Sequence, residues 1–240
     1  MRLLSGMALF AALMSTLLMP AAAAPSSQMA DGPAILEATA RAMDAAQSMR
    51  FSGSIDMNVS SGGSPVAMNL PMSGAYQAPD RMSMSVQMPR MGTSMDMIMV
   101  GGQMWMRNGQ GEWKAQRMSE GAYASPLGMS HADWFRDFTD VNVTDLGAAY
   151  RVAAIVDVSQ ALSAGYSGAL GPGRSGAMPF DMSAAGSQVT LTIDKASSYM
   201  VSMQLELSMP MPDLAASMTM TMNLTFSDFN GMAVEILPPV

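Results

Sequence analysis

Methionine recurs at every second position in three stretches of this chain: Met82-Ser-Met84, Met95-Asp-Met97-Ile-Met99 and Met218-Thr-Met220-Thr-Met222. A period of two sends successive side chains to opposite faces of a strand, so each stretch reads as a β-strand with one apolar face. Methionine supplies 31 of the 240 residues. It is unbranched, with three rotatable bonds and a polarisable sulfur, which makes it the most deformable of the large apolar side chains. The sheet built from such strands carries a soft, non-directional face. That face is open to three readings: a closed core, a pocket for a greasy ligand, or a soft-metal site.

The amino terminus stands apart from this pattern. Arg2, the apolar run from Leu3 to Leu18 and the small residues Ala21-Ala22-Ala23 form a signal peptide spanning residues 1–23. A retained membrane anchor is the competing reading, because the apolar run approaches the roughly 20 residues a spanning helix needs. Ser5, Gly6, Ser15 and Thr16 dilute it, and the alanine run favours cleavage. The expected product is exported, periplasmic or extracellular, and soluble. The formal net charge is −7, and Lys114 and Lys195 are the only lysines. No basic surface could track a phosphate backbone, so nucleic acid is excluded as a partner. The chain has no cysteine, which removes thiol catalysis, thiolate metal sites and lipidation on an amino-terminal Cys.

Residues 24–32 read as a linker and residues 33–240 as one domain. A helix is expected over 33–49, capped by Asp31 or Gly32, with Pro33 in its first turn and Ile35, Leu36, Ala40, Met43 and Ala46 on one face. The period then changes to two. Phe51 to Val59, Val66 to Met72, Met82 to Met88, Met95 to Met99 and Met104 to Met106 give an antiparallel meander, closed by a strand at Trp113. Pro71 inside one of these runs implies a bulge or an edge position. Residues 118–140 break the pattern. Ser130-His131-Ala132-Asp133 fits a capping box ahead of a helical turn carrying Trp134, Phe135 and Phe138. Further strands are expected at Tyr150–Val158, Val189–Ile193, Val201–Leu207, Met218–Phe226 and Val234–Ile236, with a helical turn near 159–164 and a Gly-rich loop over 168–179. The fold class is α+β: a strongly curved antiparallel sheet of about 10 to 11 strands, a half-open barrel closed by the amino-terminal helix and the helical insertion.

The order of elements carries a resemblance. Tyr76-Gln-Ala-Pro79-Asp80-Arg is followed by Ile98-Met-Val100-Gly101-Gly102-Gln-Met-Trp105 and Gly109-Gln-Gly111-Glu-Trp113, and later by Leu191-Thr-Ile193-Asp194-Lys195 and Phe226-Ser-Asp228-Phe229-Asn230. The chain resembles the LppX/LprG-type lipoproteins of mycobacteria and, more broadly, the LolA/LolB superfamily of lipoprotein carriers. The resemblance implies a half-open barrel with helices as a lid and a lipid or acylated molecule in the hollow, exchanged with a membrane-associated donor or acceptor protein. Many members are themselves lipoproteins. The missing Cys makes this chain a soluble shuttle or sensor instead of a tethered one. The residues expected to line the hollow are Met57, Met68, Met84, Met97, Trp105, Trp134, Phe135, Met203 and Met220. The expected protein is a monomeric, non-enzymatic carrier of a hydrophobic ligand; a sensor or interaction module on the same fold is the alternative.

Other motifs give way to plainer readings. Gly171-Pro-Gly173-Arg-Ser-Gly176 matches a dinucleotide fingerprint, but no strand precedes it and a Pro-containing loop follows where a helix should open. No cofactor is expected. His131 is the only histidine and lies in the capping box with no nucleophile elbow elsewhere, so no catalytic residue is expected. Asn58, Asn142 and Asn223 head chance glycosylation sequons in a chain that reads as bacterial. Thioethers bind Cu(I), and the alternating runs could stack sulfurs across paired strands. Methionine is nevertheless spread through the chain, including Met7, Met14 and Met19 of the signal segment. Compositional drift in a core or pocket therefore outweighs a placed metal site.

Overall fold

The computed structural model describes residues 31–61, 65–117, 131–157, 186–211, 216–231 and 235–239. The signal segment, the cap at Ser130, the helical turn near 159–164 and the Gly-rich loop lie outside the described residues. The elements in chain order are α1 (Gly32–Ala45), β1 (Ser48–Ser61), β2 (Val66–Gln77), β3 (Arg81–Met88), β4 (Thr93–Val100), β5 (Gln103–Asn108), β6 (Lys114–Arg117), α2 (His131–Arg136), β7 (Phe138–Asp145), β8 (Ala149–Val156), β9 (Gly186–Asp194), β10 (Met200–Met211) and β11 (Ala216–Ser227).

All eleven strands join one antiparallel sheet in the order β6-β5-β4-β3-β2-β1-β11-β10-β9-β8-β7. Two meanders are thus sewn together along β1 and β11, which pair without interruption from Arg50↔Ser227 to Ser61↔Ala216. The sheet is curved and does not close, leaving β6 and β7 as its edges. Two glycines mark close approaches of the kind that let a sheet bend. A Cβ on Gly53 would overlap the carbonyl oxygen of Asn223 and lie 2.8 Å from its carbonyl carbon. One on Gly74 would overlap the Ser83 carbonyl oxygen and the ring of Phe51, its cross-strand partner.

The inner face carries the core. Asp31 caps α1 by accepting from the Ala34 amide at 3.4 Å, and Pro33 sits in the first turn. Leu36, Ala40 and Met43 of α1, with Trp134 and Phe135 of α2, pack on Met49, Phe51, Val152, Leu191, Met203 and Phe226 of the sheet. Trp134 meets Phe138 edge-on at 4.9 Å and Phe135 at 5.4 Å. The polar groups caught in this layer are satisfied, as burial demands. The Thr39 hydroxyl donates to the Ile35 carbonyl at 2.9 Å, and that of Ser187 donates to the Val156 carbonyl.

Several boundaries differ from the sequence expectation. The first helix ends at Ala45, four residues short of 49, because the Gln47 amide donates to Asn230 Oδ1 at 2.7 Å and β1 pairing starts at Ser48. Phe138, expected in the helical turn, opens β7 instead. Glu235 and Ile236 form no strand; Ile236 is docked by side chains, its amide donating to Gln77 Oε1 and its carbonyl accepting from Arg81 Nη1 at 3.0 Å. Pro71 takes the edge option without a bulge. β2 pairs with β1 through Ser54↔Pro71, but with β3 only from Met72 onward, so the missing N–H falls where no partner needs it.

The β9–β10 turn gives a pH-dependent contribution. Asp194 accepts from the hydroxyl of Ser197 at 2.6 Å and from its amide at 2.8 Å, which holds the carboxyl below its ordinary value of 3.8. A carboxyl with a depressed folded pKa stabilises the fold above its unfolded pKa and loses that effect as pH falls through the folded value. Asp194→Asn is therefore expected to lower Tm at neutral pH and to leave Tm nearly unchanged below that range. Thermal melts at neutral pH and at successively lower pH check it: the gap between Asp194→Asn and the parent should narrow as pH falls, and an equal loss throughout would show that charge is not the cause.

Candidate ligand-binding face

Cross-strand partners in an antiparallel pair lie on the same face, so register assigns every side chain to the inner or outer surface. Starting from buried Phe51, the inner rows run Phe226–Phe51–Gly74–Met84–Met97–Met106 and Met49–Tyr76–Met82–Met99–Met104. A third row, Leu207–Met220–Met57–Met68, crosses the sheet further along β1. The outer rows are polar, as in Thr225–Ser52–Ser73–Ser85–Asp96–Arg107.

The inner face has two zones. Beneath α1 and α2 its residues are buried, including Met49, Met82, Met203, Leu191 and Phe226. Beyond the helices, Met57, Met68, Met84, Met97, Met99, Met104, Met106, Met218, Met220 and Met222 are only half-buried. Val66 at the far end of β2 is 47% exposed. Closed core therefore grades into an apolar wall that retains free surface. The wall lies on β1–β5 and β11; the inner residues of β7–β9, among them Val141, Val143, Val152, Ala154, Val189, Leu191 and Ile193, include no methionine. On the inner surface methionine therefore runs from β5 across to β10, where Met203 and Met209 are buried, and is missing only from β7–β9 among these strands.

Of the residues expected to line the hollow, Met57, Met68, Met84, Met97 and Met220 stand on the half-buried wall. Met203 lies in the closed core under the helices, and Trp134 and Phe135 of α2 pack down into that core. Trp105 is on the other surface. It pairs with Ile98, whereas its neighbours Met104 and Met106 face inward. In Met104-Trp105-Met106 three large apolar residues stand in a row, so period alone could not choose the face. Met82, Met99, Met104 and Met106 were legible as alternating residues, and only register joins them to Met84 and Met97.

The outer surface next to Trp105 is chemically different. A shallow groove of about 550 Å³ is lined by Arg50, Ser52, Ser73, Ser85, Asp96, Ile98, Arg107 and Trp113 among others. Arg107 donates from Nε and Nη2 to Asp96 Oδ2 at 3.1 and 2.7 Å, and its guanidinium covers Trp113 at 4.5 Å. This surface offers hydroxyls and a satisfied ion pair beside Trp105, Ile98 and Trp113, in place of the methionine rows of the inner face. Among the described residues no cluster of His, Asp or Glu is placed to hold a metal ion, and no helix is long and apolar enough to cross a membrane.

No protein-family model matches the chain, and no curated protein matches it. Comparison with solved structures returns the likeness expected from the sequence. The chain resembles the LppX-type lipoproteins and the LolA superfamily. LprF from Mycobacterium bovis aligns at a TM-score of 0.48 and 11% identity, over 87% of this chain and 96% of that one. The Mycobacterium tuberculosis lipoprotein LppX aligns at 0.40 and 11%, over 86% and 100%. A LolA superfamily protein from Nitrosomonas europaea aligns at 0.29 and 9%, over 86% and 94%. The half-open barrel itself rests on the strand order and register described above; these likenesses assign no ligand.

The two surfaces make a direct prediction. Met97→Asp is expected to weaken uptake of a fluorescent fatty acid by about tenfold or more, because a carboxylate on the wall must be desolvated or protonated beside the chain. Trp105→Ala, on the outer surface, is expected to leave uptake within about twofold of the parent. Fluorescence titration of both variants checks the assignment of faces.

Proposed function

We propose that this protein is an exported, non-enzymatic carrier that holds a hydrophobic ligand, such as a lipid, an acyl chain or a lipoprotein tail, against the inner face of its half-open barrel. The observation that carries the reading is the half-buried methionine wall continuous with a closed core. Unbranched thioether side chains repack around differently shaped apolar ligands at little cost. Burial contributes about 0.8 kcal/mol per methylene, so a chain of about sixteen carbons gains on the order of 10 kcal/mol before the cost of ordering it. Met57, Met68, Met84, Met97 and Met220 supply the contact surface. Trp134 and Phe135 hold α2 in place, and displacement of α2 or α1 opens the wall to a membrane-associated donor or acceptor. The carrier works as a monomer, freed from its signal segment by cleavage after Ala23.

Native mass spectrometry of the full protein purified from its own host tests this reading, combined with titration of the delipidated protein with a fluorescent fatty acid. The expected result is a co-purifying apolar molecule and saturable uptake of the dye-labelled chain. A ligand-free mass together with no uptake overturns it.

A further inference from the structure

Register brings six methionines into a grid on three adjacent strands: Met82 and Met84 on β3, Met99 and Met97 on β4, Met104 and Met106 on β5. Met82 pairs with Met99 and Met99 with Met104; Met84 pairs with Met97 and Met97 with Met106. We propose that this grid is a thioether site for a soft monovalent cation, Cu(I) in the first place, with Ag(I) as its chemical equivalent.

Three observations carry the proposal. The first is spacing. Cross-strand partners have Cβ atoms about 5 Å apart and residues i and i+2 lie about 6.6 Å apart, so the centre of a square of four is about 4 Å from each Cβ. A sulfur two bonds beyond Cβ, extended by one metal–sulfur bond, spans that gap, so Met84, Met97, Met82 and Met99 can direct three or four sulfurs to one point. The pair on β4 is shared with a second square completed by Met104 and Met106. The second observation is placement. Inner positions of β8 and β9 meet the demand for apolar burial with Val, Ala, Leu and Ile, so nothing in core formation requires sulfur at all six grid positions. Methionine is missing from the inner residues of β7–β9 and forms unbroken cross-strand rows on β3–β5, so its spread over the inner surface is not uniform. The third is access. Met84, Met97, Met99, Met104 and Met106 are half-buried, so an ion can reach the grid from solvent and then lie on a mostly apolar surface.

Thioethers are neutral, soft donors that select Cu(I) over the harder divalent ions. They also lose no proton on binding, unlike thiol or imidazole ligands. Affinity should therefore hold where histidine and carboxylate sites release their metal.

The test uses the full exported chain, titrated with Cu(I) under anaerobic reducing conditions against a chromophoric Cu(I) chelator. The expected result is binding tighter than about micromolar, unchanged between about pH 7 and about pH 5. The double variant M97L/M99L is expected to weaken it by about tenfold or more, whereas the control M218L/M220L, on β11, changes it by less than about twofold. Leu for Met is close to volume-conserving, so folding and the apolar wall survive. Binding weaker than micromolar, release at the lower pH, or equal loss in both double variants overturns the proposal. Fatty-acid uptake by the unsubstituted protein is measured in parallel: uptake without Cu(I) binding is a failure of the metal site alone, and Cu(I) binding without uptake is a failure of the carrier reading alone.

Discussion

Gly53→Ala is expected to destabilise the protein by at least about 3 kcal/mol, beyond the ordinary range for a glycine exchanged within a strand. The added methyl would meet only backbone: the Asn223 carbonyl, and Leu224 Cα at 3.1 Å. No side chain can rotate away to relieve the overlap, so β1 and β11 must separate. That pair joins the meander β1–β6 to the meander β7–β11, and twelve residue pairs of register depend on it. A loss of this size corresponds to a fall in Tm of roughly 6–12 °C for a domain of this length. Gly186→Ala is the control, because a Cβ there meets nothing within 4 Å and the backbone is not left-handed. Thermal or urea unfolding of the two variants gives the comparison; a Gly53→Ala protein as stable as the Gly186→Ala protein would mean the strands can part at no cost. The same variant bears on function. On the carrier reading proposed above, a close approach at Gly53 that sets the bend also sets affinity for an apolar chain, so its loss lowers that affinity even in the fraction that stays folded.

The strands that were legible in advance are those whose period of two is unbroken. Met95-Asp-Met97-Ile-Met99 and Met218-Thr-Met220-Thr-Met222 announce both an element and the side of it that turns inward. β7 is not legible in the sequence because it breaks its own period. Asp140 adopts a left-handed φ of 52° and the register shifts between Thr139 and Asn142, so Phe138 is followed by Val141 and Val143 out of step. A bulge is a property of the pair of strands, and one strand read alone cannot reveal it. Trp105 defeats the same reading: between two methionines its face is decided by Ile98 on the neighbouring strand. The meander β1–β6 followed from its turns, since tight Gly-containing turns join neighbours. The β1–β11 seam pairs residues at opposite ends of the chain, and no local signal encodes it. The candidate site divides along the same line. That methionine lines the inner face could be read residue by residue, whereas the grid on β3–β5 and the methionine-free side of β7–β9 exist only once register is known.

Trp134→Ala is expected to cost about 3–5 kcal/mol, the range for deleting a large aromatic side chain from a packed core. Trp134 is 5% exposed and touches both Phe135 and Phe138, so its removal leaves a cavity lined by rings that cannot collapse into it without breaking their edge-on contacts. The site of the cavity matters more than its size. α2, described over His131–Arg136, packs against α1, whose Leu36, Ala40 and Met43 cover the inner face. Losing Trp134 should therefore loosen the helical cover before it disturbs the sheet, whose eleven strands hold one another by backbone pairing. The expected signature is a lower Tm together with increased binding of a hydrophobic dye at temperatures well below unfolding, as buried Met49, Met82 and Phe226 join the exposed wall. Hydrogen exchange distinguishes this from uniform destabilisation: α1 and α2 should lose protection while β1, β10 and β11 keep it. A parallel loss of protection across helices and central strands would mean that the helices are an inseparable part of the core, and that ligand entry does not proceed by lifting them.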